Sequence, residues 1–152
     1  MKTYMTIWAI LFLVGCAPKT VSMNKGIVMF LNSDNSQTVN LRCTGYGKTK
    51  DEAKDKAVSA AFYSIFFRGI SGSTFNLPMI PDETTNKDHA AVKKILNGEN
   101  ASFINGFTNE AYSFGNGKNG KDGYNATIDL IVNCDALRRY LEEKKVLRKF
   151  GY

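Results

Sequence analysis

The feature that most constrains the fold is a helix that the sequence predicts immediately after a strand, beginning near residue 50. Thr49 and Glu52 have the spacing of a capping box, in which the threonine hydroxyl accepts a hydrogen bond from the Glu52 backbone and the glutamate reaches back to the helix start. Gly69 predicts the helix end. One side of the helix carries small residues at a spacing of four, which are Ala53, Ala57 and Ala61. Because these side chains are small, this side of the helix can lie close against a sheet. We therefore expect the strands of the chain to form a sheet that packs against it.

Strands are predicted on both sides of this helix. Upstream, residues 27–31 form a short apolar run, and residues 39–43 alternate between apolar and polar side chains. Downstream, residues 103–114 predict a strand with a bulge, because the aromatic residues change parity partway along it. Residues 124–134 alternate most clearly of all, and the glycine-rich residues 115–123 predict a hairpin tip between these last two strands.

Two further helices complete the pattern. Residues 87–97 predict a short helix, and a final helix is expected to begin with Asp135 as its cap. The order strand, strand, helix, helix, strand, strand, helix predicts an α+β fold, in which two or three helices pack on one face of a small, mostly antiparallel sheet. A chain of 152 residues suits one such domain, which we place at residues 26–152.

The start of the chain has a different character. A single lysine precedes eight consecutive apolar residues, far fewer than the roughly 20 that a membrane-spanning helix needs. A positive start followed by a short apolar run is typical of an export signal. The run ends in Leu13-Val14-Gly15-Cys16, which resembles the lipobox of bacterial lipoproteins. That resemblance implies a signal peptide over residues 1–15, a lipid attached to Cys16, and a lipidated linker over residues 16–25.

The lipobox resemblance also implies a location. Ala17 stands where lipoproteins retained in the inner membrane carry an acidic residue, so we expect a protein of the outer membrane that faces the periplasm. Two or three acyl chains would hold it there, since one chain alone binds a bilayer only marginally. The alternative is an ordinary cleaved signal peptide that happens to contain a cysteine.

The charge of the chain fits this location. Removing the signal peptide removes Lys2 alone among the charged residues and lowers the net charge from +6 to +5. A mildly basic protein can contact anionic lipid headgroups or cell-wall polymers. An exported protein rarely meets nucleic acid, so we expect the membrane and an envelope protein as partners and no nucleic acid.

Cys43 and Cys134 both lie at the downstream ends of predicted strands, on the apolar side of each. An exported compartment allows disulfides. If the two strands are parallel neighbours, their ends meet and a bridge is allowed. If they are antiparallel, the cysteines lie at opposite ends, farther apart than the about 7 Å between Cα atoms that a disulfide can span. Two buried free thiols are the alternative to the bridge.

No set of catalytic residues stands out in the sequence. His89 is the only histidine, and a catalytic triad or a zinc site needs partners that one histidine cannot supply. The ends of apolar strand faces are also poor places for a reactive thiolate. We therefore expect no enzyme activity, no metal site and no cofactor.

Basic residues are concentrated near the end of the chain, where they could form a contact surface for an anionic partner. The alternative is a solvated helix face whose cations complement the helix C-terminus. The residues are Arg138, Arg139, Lys144, Lys145, Arg148 and Lys149.

Residues 43–53, with Ala57 and Ala61, resemble a pattern in small envelope proteins, in which a strand ends in a glycine pair and an alanine-rich helix opens with Thr-x-x-Glu-Ala. The N-terminal domain of flagellar assembly proteins and several small lipoproteins are similar. The resemblance implies a non-catalytic envelope module, often in assembly or scaffolding, and supplies no catalytic residue.

Two functions follow as hypotheses. The first is a lipid-anchored interaction module that docks onto another envelope protein through a sheet edge or the basic last helix. The second is a binding module for a small ligand or cell-wall glycan. Its candidate aromatic residues are Phe75, Tyr112 and Phe114.

Overall fold

The computed structural model describes residues 26–35, 37–116 and 122–148. The predictions for the signal peptide, Cys16 and the linker lie outside these residues, as does Lys149. Along the chain the elements are β1 (Val28–Asn35), β2 (Thr38–Gly47), α1 (Lys50–Phe67), α2 (Glu83–Asn86), α3 (Ala90–Leu96), β3 (Ile104–Asn116), β4 (Asp122–Asn133) and α4 (Cys134–Glu143), with a single 3₁₀ turn at Ala101–Phe103 before β3.

The four strands form one antiparallel sheet in the order β1-β2-β4-β3. β2 and β4 are therefore central, and β1 and β3 are the edges. α1 packs across β2 and β4, and α1, α3 and α4 bury their apolar side chains in the same core. This arrangement confirms the predicted α+β fold of a small antiparallel sheet with helices on one face.

The start of α1 shows why the helix lies so close to β2. The Glu52 backbone N–H donates to Thr49 Oγ1 (3.1 Å), as the capping box predicts. The Glu52 carboxylate accepts from the Lys48 backbone (2.7 Å), one residue before the cap. A methyl group placed on Gly45 would lie 2.2 Å from the Ala53 carbonyl oxygen. Glycine in β2 and alanine in α1 thus let the two backbones come into contact.

The helix predicted over residues 87–97 begins later and is preceded by a separate turn of helix. Asp82 caps α2 by accepting from the Thr85 backbone (3.2 Å). His89 caps α3, because its Nδ1 accepts from the Ala91 backbone (3.3 Å). The backbone of His89 is extended and cannot continue a helix through this point. The predicted end of the helix is correct and its predicted start is wrong.

The cap of the last helix is also corrected. Asn133 caps α4, with its side-chain oxygen accepting from the Ala136 backbone (2.9 Å). Asp135 instead lies in the first turn, where it forms an ion pair with Arg139 (2.8 Å). Both residue types are good caps. Asn133 is the cap because β4 ends at this residue and α4 begins with Cys134. The strand is thus one residue shorter at this end than predicted.

Cys43 and Cys134 do not form the disulfide that a parallel arrangement would have allowed. β2 and β4 are antiparallel, and Cys43 lies opposite Ile128, whereas Cys134 follows the residue that lies opposite Thr38. The cysteines are thus six positions apart along the pairing, or roughly 20 Å. Both are buried free thiols, and burial raises the pKa of each to about 12.

Candidate functional site

β3 is a 13-residue edge strand with one neighbour. Within the described residues, no strand pairs with its outer side, so the backbone N–H and C=O groups that point away from β4 are open to a further strand. It contains no lysine, arginine or proline, the residues that commonly protect an edge. β3 therefore offers a backbone template that another extended segment could join.

The two halves of β3 differ in regularity. Register shifts interrupt its pairing with β4 between Ile104 and Gly106 and between Phe107 and Asn109. The second shift is the bulge that the aromatic parity predicted. Residues 109–116 then pair with β4 without interruption. Asn109 borders the second shift, and we call the seven residues that follow it, 110–116, the open edge.

The helix-facing side of β3 is aromatic. Phe107 and Tyr112 lie opposite Leu130 and Ala126, which are buried against α1, so both share the helix-facing side. Phe114 lies on the same side and is 67% exposed. The opposite side of the open edge carries only small residues, namely Ala111, Ser113 and Gly115.

One acidic side chain lies on β3, and a lysine of α1 neutralises it. Lys54 Nζ donates to Glu110 Oε1 and lies 4.2 Å from the centre of the Phe107 ring. The Tyr112 hydroxyl donates to the other Glu110 oxygen (3.0 Å). The hydrogen bond from Lys54 holds the pKa of Glu110 below its usual range. The open edge therefore has no unpaired charge among these side chains.

A second lysine of α1 continues the pattern toward the end of β3. Lys50 Nζ lies 5.7 Å from the ring centre of Tyr112 and 5.9 Å from that of Tyr124. Phe114 meets Tyr124 edge to face, with ring centres 5.3 Å apart. Each such contact is modest, but together they fix the orientation of the aromatic side chains beside the open edge.

The other edge of the sheet, β1, is irregular. Its pairing with β2 shifts register between Phe30 and Asn32 and again between Asn32 and Asn35. Met29 is 55% exposed on the side away from the helices. The outward backbone groups of β1 therefore do not form a continuous row, and bulges of this kind make an edge a poor template for another strand.

The sheet face away from the helices has a polar centre that satisfies itself. Arg42 binds Asp129 through two hydrogen bonds, Nε to Oδ1 and Nη2 to Oδ2, both 2.7 Å long. The hydrogen bond from Arg42 lowers the pKa of Asp129. Asn40 Oδ1 nearby is buried without a hydrogen-bond partner among the described atoms. The ion pair joins the two central strands and leaves little free charge on this face.

Within the described part of the chain, the basic residues predicted as a contact surface near the C-terminus differ in their surroundings. Arg139 is paired with Asp135, and Lys144 is paired with Glu143 (2.8 Å). Lys145 has a positive φ of 60° in the turn that ends α4. Arg138 and Arg148 line a cleft, and Lys149 is outside the described residues.

This cleft has a volume of about 780 Å³ and lies between residues 74–82 and the end of α4. Its apolar lining includes Phe75, Leu77 and Leu147. Phe75 is thus separated from Tyr112 and Phe114, the other two aromatic residues proposed for ligand binding, which lie on β3. The structure does not bring the three together.

The described side chains offer little reactive chemistry. No group of three or more His, Cys, Asp or Glu side chains in residues 26–35, 37–116 and 122–148 could hold a metal ion. His89 is occupied as a helix cap, and burial keeps both cysteines protonated. No helix in the same ranges is long and apolar enough to cross a membrane.

Comparison of the chain with known protein families, with curated proteins and with solved structures gave no match.

Proposed function

We propose that this chain is a lipid-anchored lipoprotein of the cell envelope, facing the periplasm, and that its folded domain is a non-catalytic interaction module. The observation that carries the proposal is the open edge of β3, which is regular over residues 110–116 and has its one charge neutralised. An edge of this kind binds a partner by strand addition, in which an extended segment continues the sheet.

The anchor rests on the sequence. Leu13-Val14-Gly15-Cys16 follows a short apolar run, and Ala17 favours the outer membrane over the inner one. A tether at Cys16 would keep the domain near the membrane surface and close to other envelope proteins. The assembly role suggested by the strand and helix unit at residues 43–53 agrees with a module that binds through a sheet edge.

Strand addition separates affinity from specificity. Backbone hydrogen bonds along the open edge supply affinity for any extended segment. The side chains that alternate on either side of β3 supply the choice of partner. On the helix-facing side, Tyr112 and Phe114 favour aromatic or aliphatic residues in the partner strand. On the other face of β3 the side chains are small, which leaves room for larger side chains of the partner.

A second candidate function is the binding of a small ligand in the cleft beside α4. Its volume of about 780 Å³ falls in the range of known ligand sites. Its lining includes Leu77, an exposed apolar side chain, and the cationic Arg148. An apolar ligand with an anionic group would suit this combination.

The experiment that tests the interaction role is crosslinking in cells followed by co-purification. We would compare the native chain with Cys16→Ser, with Phe114→Asp on the open edge, and with Met29→Asp as a matched control on the irregular edge. Both edge side chains are more than half exposed, so neither change disturbs the core. We expect one partner to be recovered with the native chain and with Met29→Asp, and to be lost with Phe114→Asp and Cys16→Ser.

Recovery of the same partner with Phe114→Asp would show that the open edge is not the contact. Failure to recover any partner with the native chain, a crosslinked second copy included, would reject the interaction role itself. Binding of a small apolar anion that is lost with Leu77→Asp would then favour the cleft.

A further inference from the structure

Resting on the proposed function, we infer that the strand that joins β3 is β3 of a second copy of this chain. The two copies pair antiparallel about a two-fold axis at Ser113 and form one continuous eight-stranded sheet. A two-fold interface uses the same surface on both partners, so the surface must complement itself. The open edge meets this requirement residue by residue.

The axis follows from the two faces of β3. The uninterrupted pairing covers residues 109–116, whose two central residues are Tyr112 and Ser113. A two-fold axis perpendicular to the sheet passes through one residue position, and at Ser113 it places Tyr112 opposite Phe114 and small residues opposite small ones. A two-fold axis there places each residue opposite one at the same distance on the other side of Ser113. Because opposite residues then have the same parity, the helix-facing sides of the two copies coincide and so do the outer sides.

The helix-facing side becomes an aromatic contact. Tyr112 and Phe114 lie one residue to either side of Ser113, so Tyr112 of each copy lies opposite Phe114 of the other. This produces two identical cross-strand aromatic pairs, the type of pair that stabilises antiparallel sheets. It also covers Phe114, which is 67% exposed in the single chain.

Neither the side chains on the face of β3 away from the helices nor the charges oppose the pairing of two copies. Ala111 would lie opposite Gly115, and Ser113 opposite its own counterpart, so small residues meet small residues. Glu110 would lie opposite Asn116. The two Glu110 side chains are six residues apart along the strands, roughly 20 Å, and each is paired with its own Lys54. Like charges therefore do not oppose the pairing.

The dimer should be weak in dilute solution. Pairing of seven residues buries less than the roughly 1,200 Å² that a standard stable interface needs. A lipid tether changes this, because it confines copies to one membrane surface and raises their effective concentration. The test must therefore trap the pair rather than rely on its persistence through purification.

The test is oxidation of the full chain in mixed detergent micelles, with Ser113→Cys as the reporter. The two new sulfurs would lie on opposite residues of an antiparallel pair, with Cα atoms about 4.5–5.5 Å apart, which suits a disulfide. Cys43 and Cys134 are buried, so the unmodified chain serves as the blank. Ala111→Cys is the matched control, because it lies on the same exposed side while its counterpart would be roughly 13 Å away.

We expect most of the Ser113→Cys chain to become a covalent dimer on treatment with copper phenanthroline, at least fivefold more than the Ala111→Cys chain or the blank. Adding Phe114→Asp to Ser113→Cys should abolish the dimer, and adding Met29→Asp should not. Equal crosslinking at positions 111 and 113, or none at 113, would overturn the two-fold pairing.

The outcomes separate this inference from the function on which it rests. If Ser113→Cys fails to crosslink but cells yield a different protein that is lost with Phe114→Asp, the open edge is a contact and the second copy is the wrong partner. If Ser113→Cys fails and no protein is recovered, both the inference and the interaction role are rejected.

Discussion

The two edges of this sheet treat their unpaired backbone groups in opposite ways. β1 shifts register twice within its eight residues, whereas β3 keeps one register with β4 from residue 109 to residue 116. Natural sheets usually protect their edges with bulges, charges or proline. This protein applies that protection to β1 and to the first half of β3, and leaves the second half of β3 without it. The contrast supports the proposal that the open edge is a surface for pairing.

The first prediction concerns the buried core under the central strands, on which both edges of the sheet depend. Leu130 in β4 is fully buried and lies opposite Leu41 of β2 and Phe107 of β3. Leu130→Ala should lower the free energy of unfolding by about 3 kcal/mol, because it leaves a cavity in the core. Urea denaturation measures the change.

If the contrast between the edges is local, Leu130→Ala should weaken the sheet without altering which edge associates. Ile27→Ala, at a position that is 64% exposed, is the control and should change stability by less than about 0.5 kcal/mol. A change of 1 kcal/mol or less for Leu130→Ala would mean that the core does not hold β4 as described.

The second prediction breaks the polar link between the central strands. Asp129→Asn keeps the shape but removes the charge that binds Arg42, and should cost about 1–2 kcal/mol at neutral pH. Arg42 is partly solvated, which keeps the cost below that of a fully buried pair. Amide hydrogen exchange should then rise in β2 and β4 before it rises in α1.

The same variant gives a pH dependence with a definite sign. Arg42 lowers the pKa of Asp129 in the folded state, so the stabilisation is present above the unfolded value of about 3.9 and is lost as the pH falls through the folded value. The difference in stability between the native chain and Asp129→Asn should therefore shrink below about pH 4. If the difference in stability between the two chains stayed constant to pH 2, the effect of Asp129→Asn would come from packing and not from the charge of Asp129.

The third prediction exposes an unpaired charge on β3, as is common on protected edges. Lys54→Met leaves Glu110 without its ion-pair partner. The stability of the single chain should fall by less than about 1 kcal/mol, as is usual for partly exposed pairs. Association through β3 should weaken at low salt and recover as salt is added, because screening reduces repulsion by the freed carboxylate.

Lys93→Met is the matched control for this change, since it removes an exposed ion pair with Asp88 on α3, away from β3. If Lys54→Met and Lys93→Met changed crosslinking equally, the charge of Glu110 would not be what weakens association through β3.

The smallest expected effect on stability is that of Phe114→Asp, within about 0.5 kcal/mol, since the side chain is mostly exposed. Its effect should appear instead in hydrogen exchange of residues 110–116 at high protein concentration. The native chain should protect alternate amides there as concentration rises, and the variant should not. Protection that is independent of concentration in both chains would mean that the outward amides have another partner.

Local signals in the sequence predicted the local structure well. Thr49, Glu52 and Gly69 fixed the limits of α1, because caps act over a single turn of helix. Alternation predicted β2 and β4, and the parity change predicted the bulge in β3. The apolar run at residues 27–31 predicted β1, but the strand continues through polar residues to Asn35. The start of α3 and the cap of α4 were wrong because several residues that can cap lie close together, and tertiary contacts decide among them.

The candidate site was less accessible to prediction. The absence of lysine and proline from residues 104–116 was visible, but the position of that segment at an edge depends on the strand order, which long-range pairing sets. The pairing of Glu110 with Lys54 joins residues 56 positions apart and had no local signal. The question of a disulfide was open for the same reason, since only the direction of β2 relative to β4 could answer it.

The separation of Cys43 from Cys134 has a consequence for biogenesis. A domain whose described part is held together without a covalent crosslink does not depend on an oxidase to reach its native state. It can fold equally in a reducing and in an oxidising compartment. Production of residues 26–152 in a reducing cytosol should yield the same fold, with both thiols inaccessible to alkylation until the chain is unfolded.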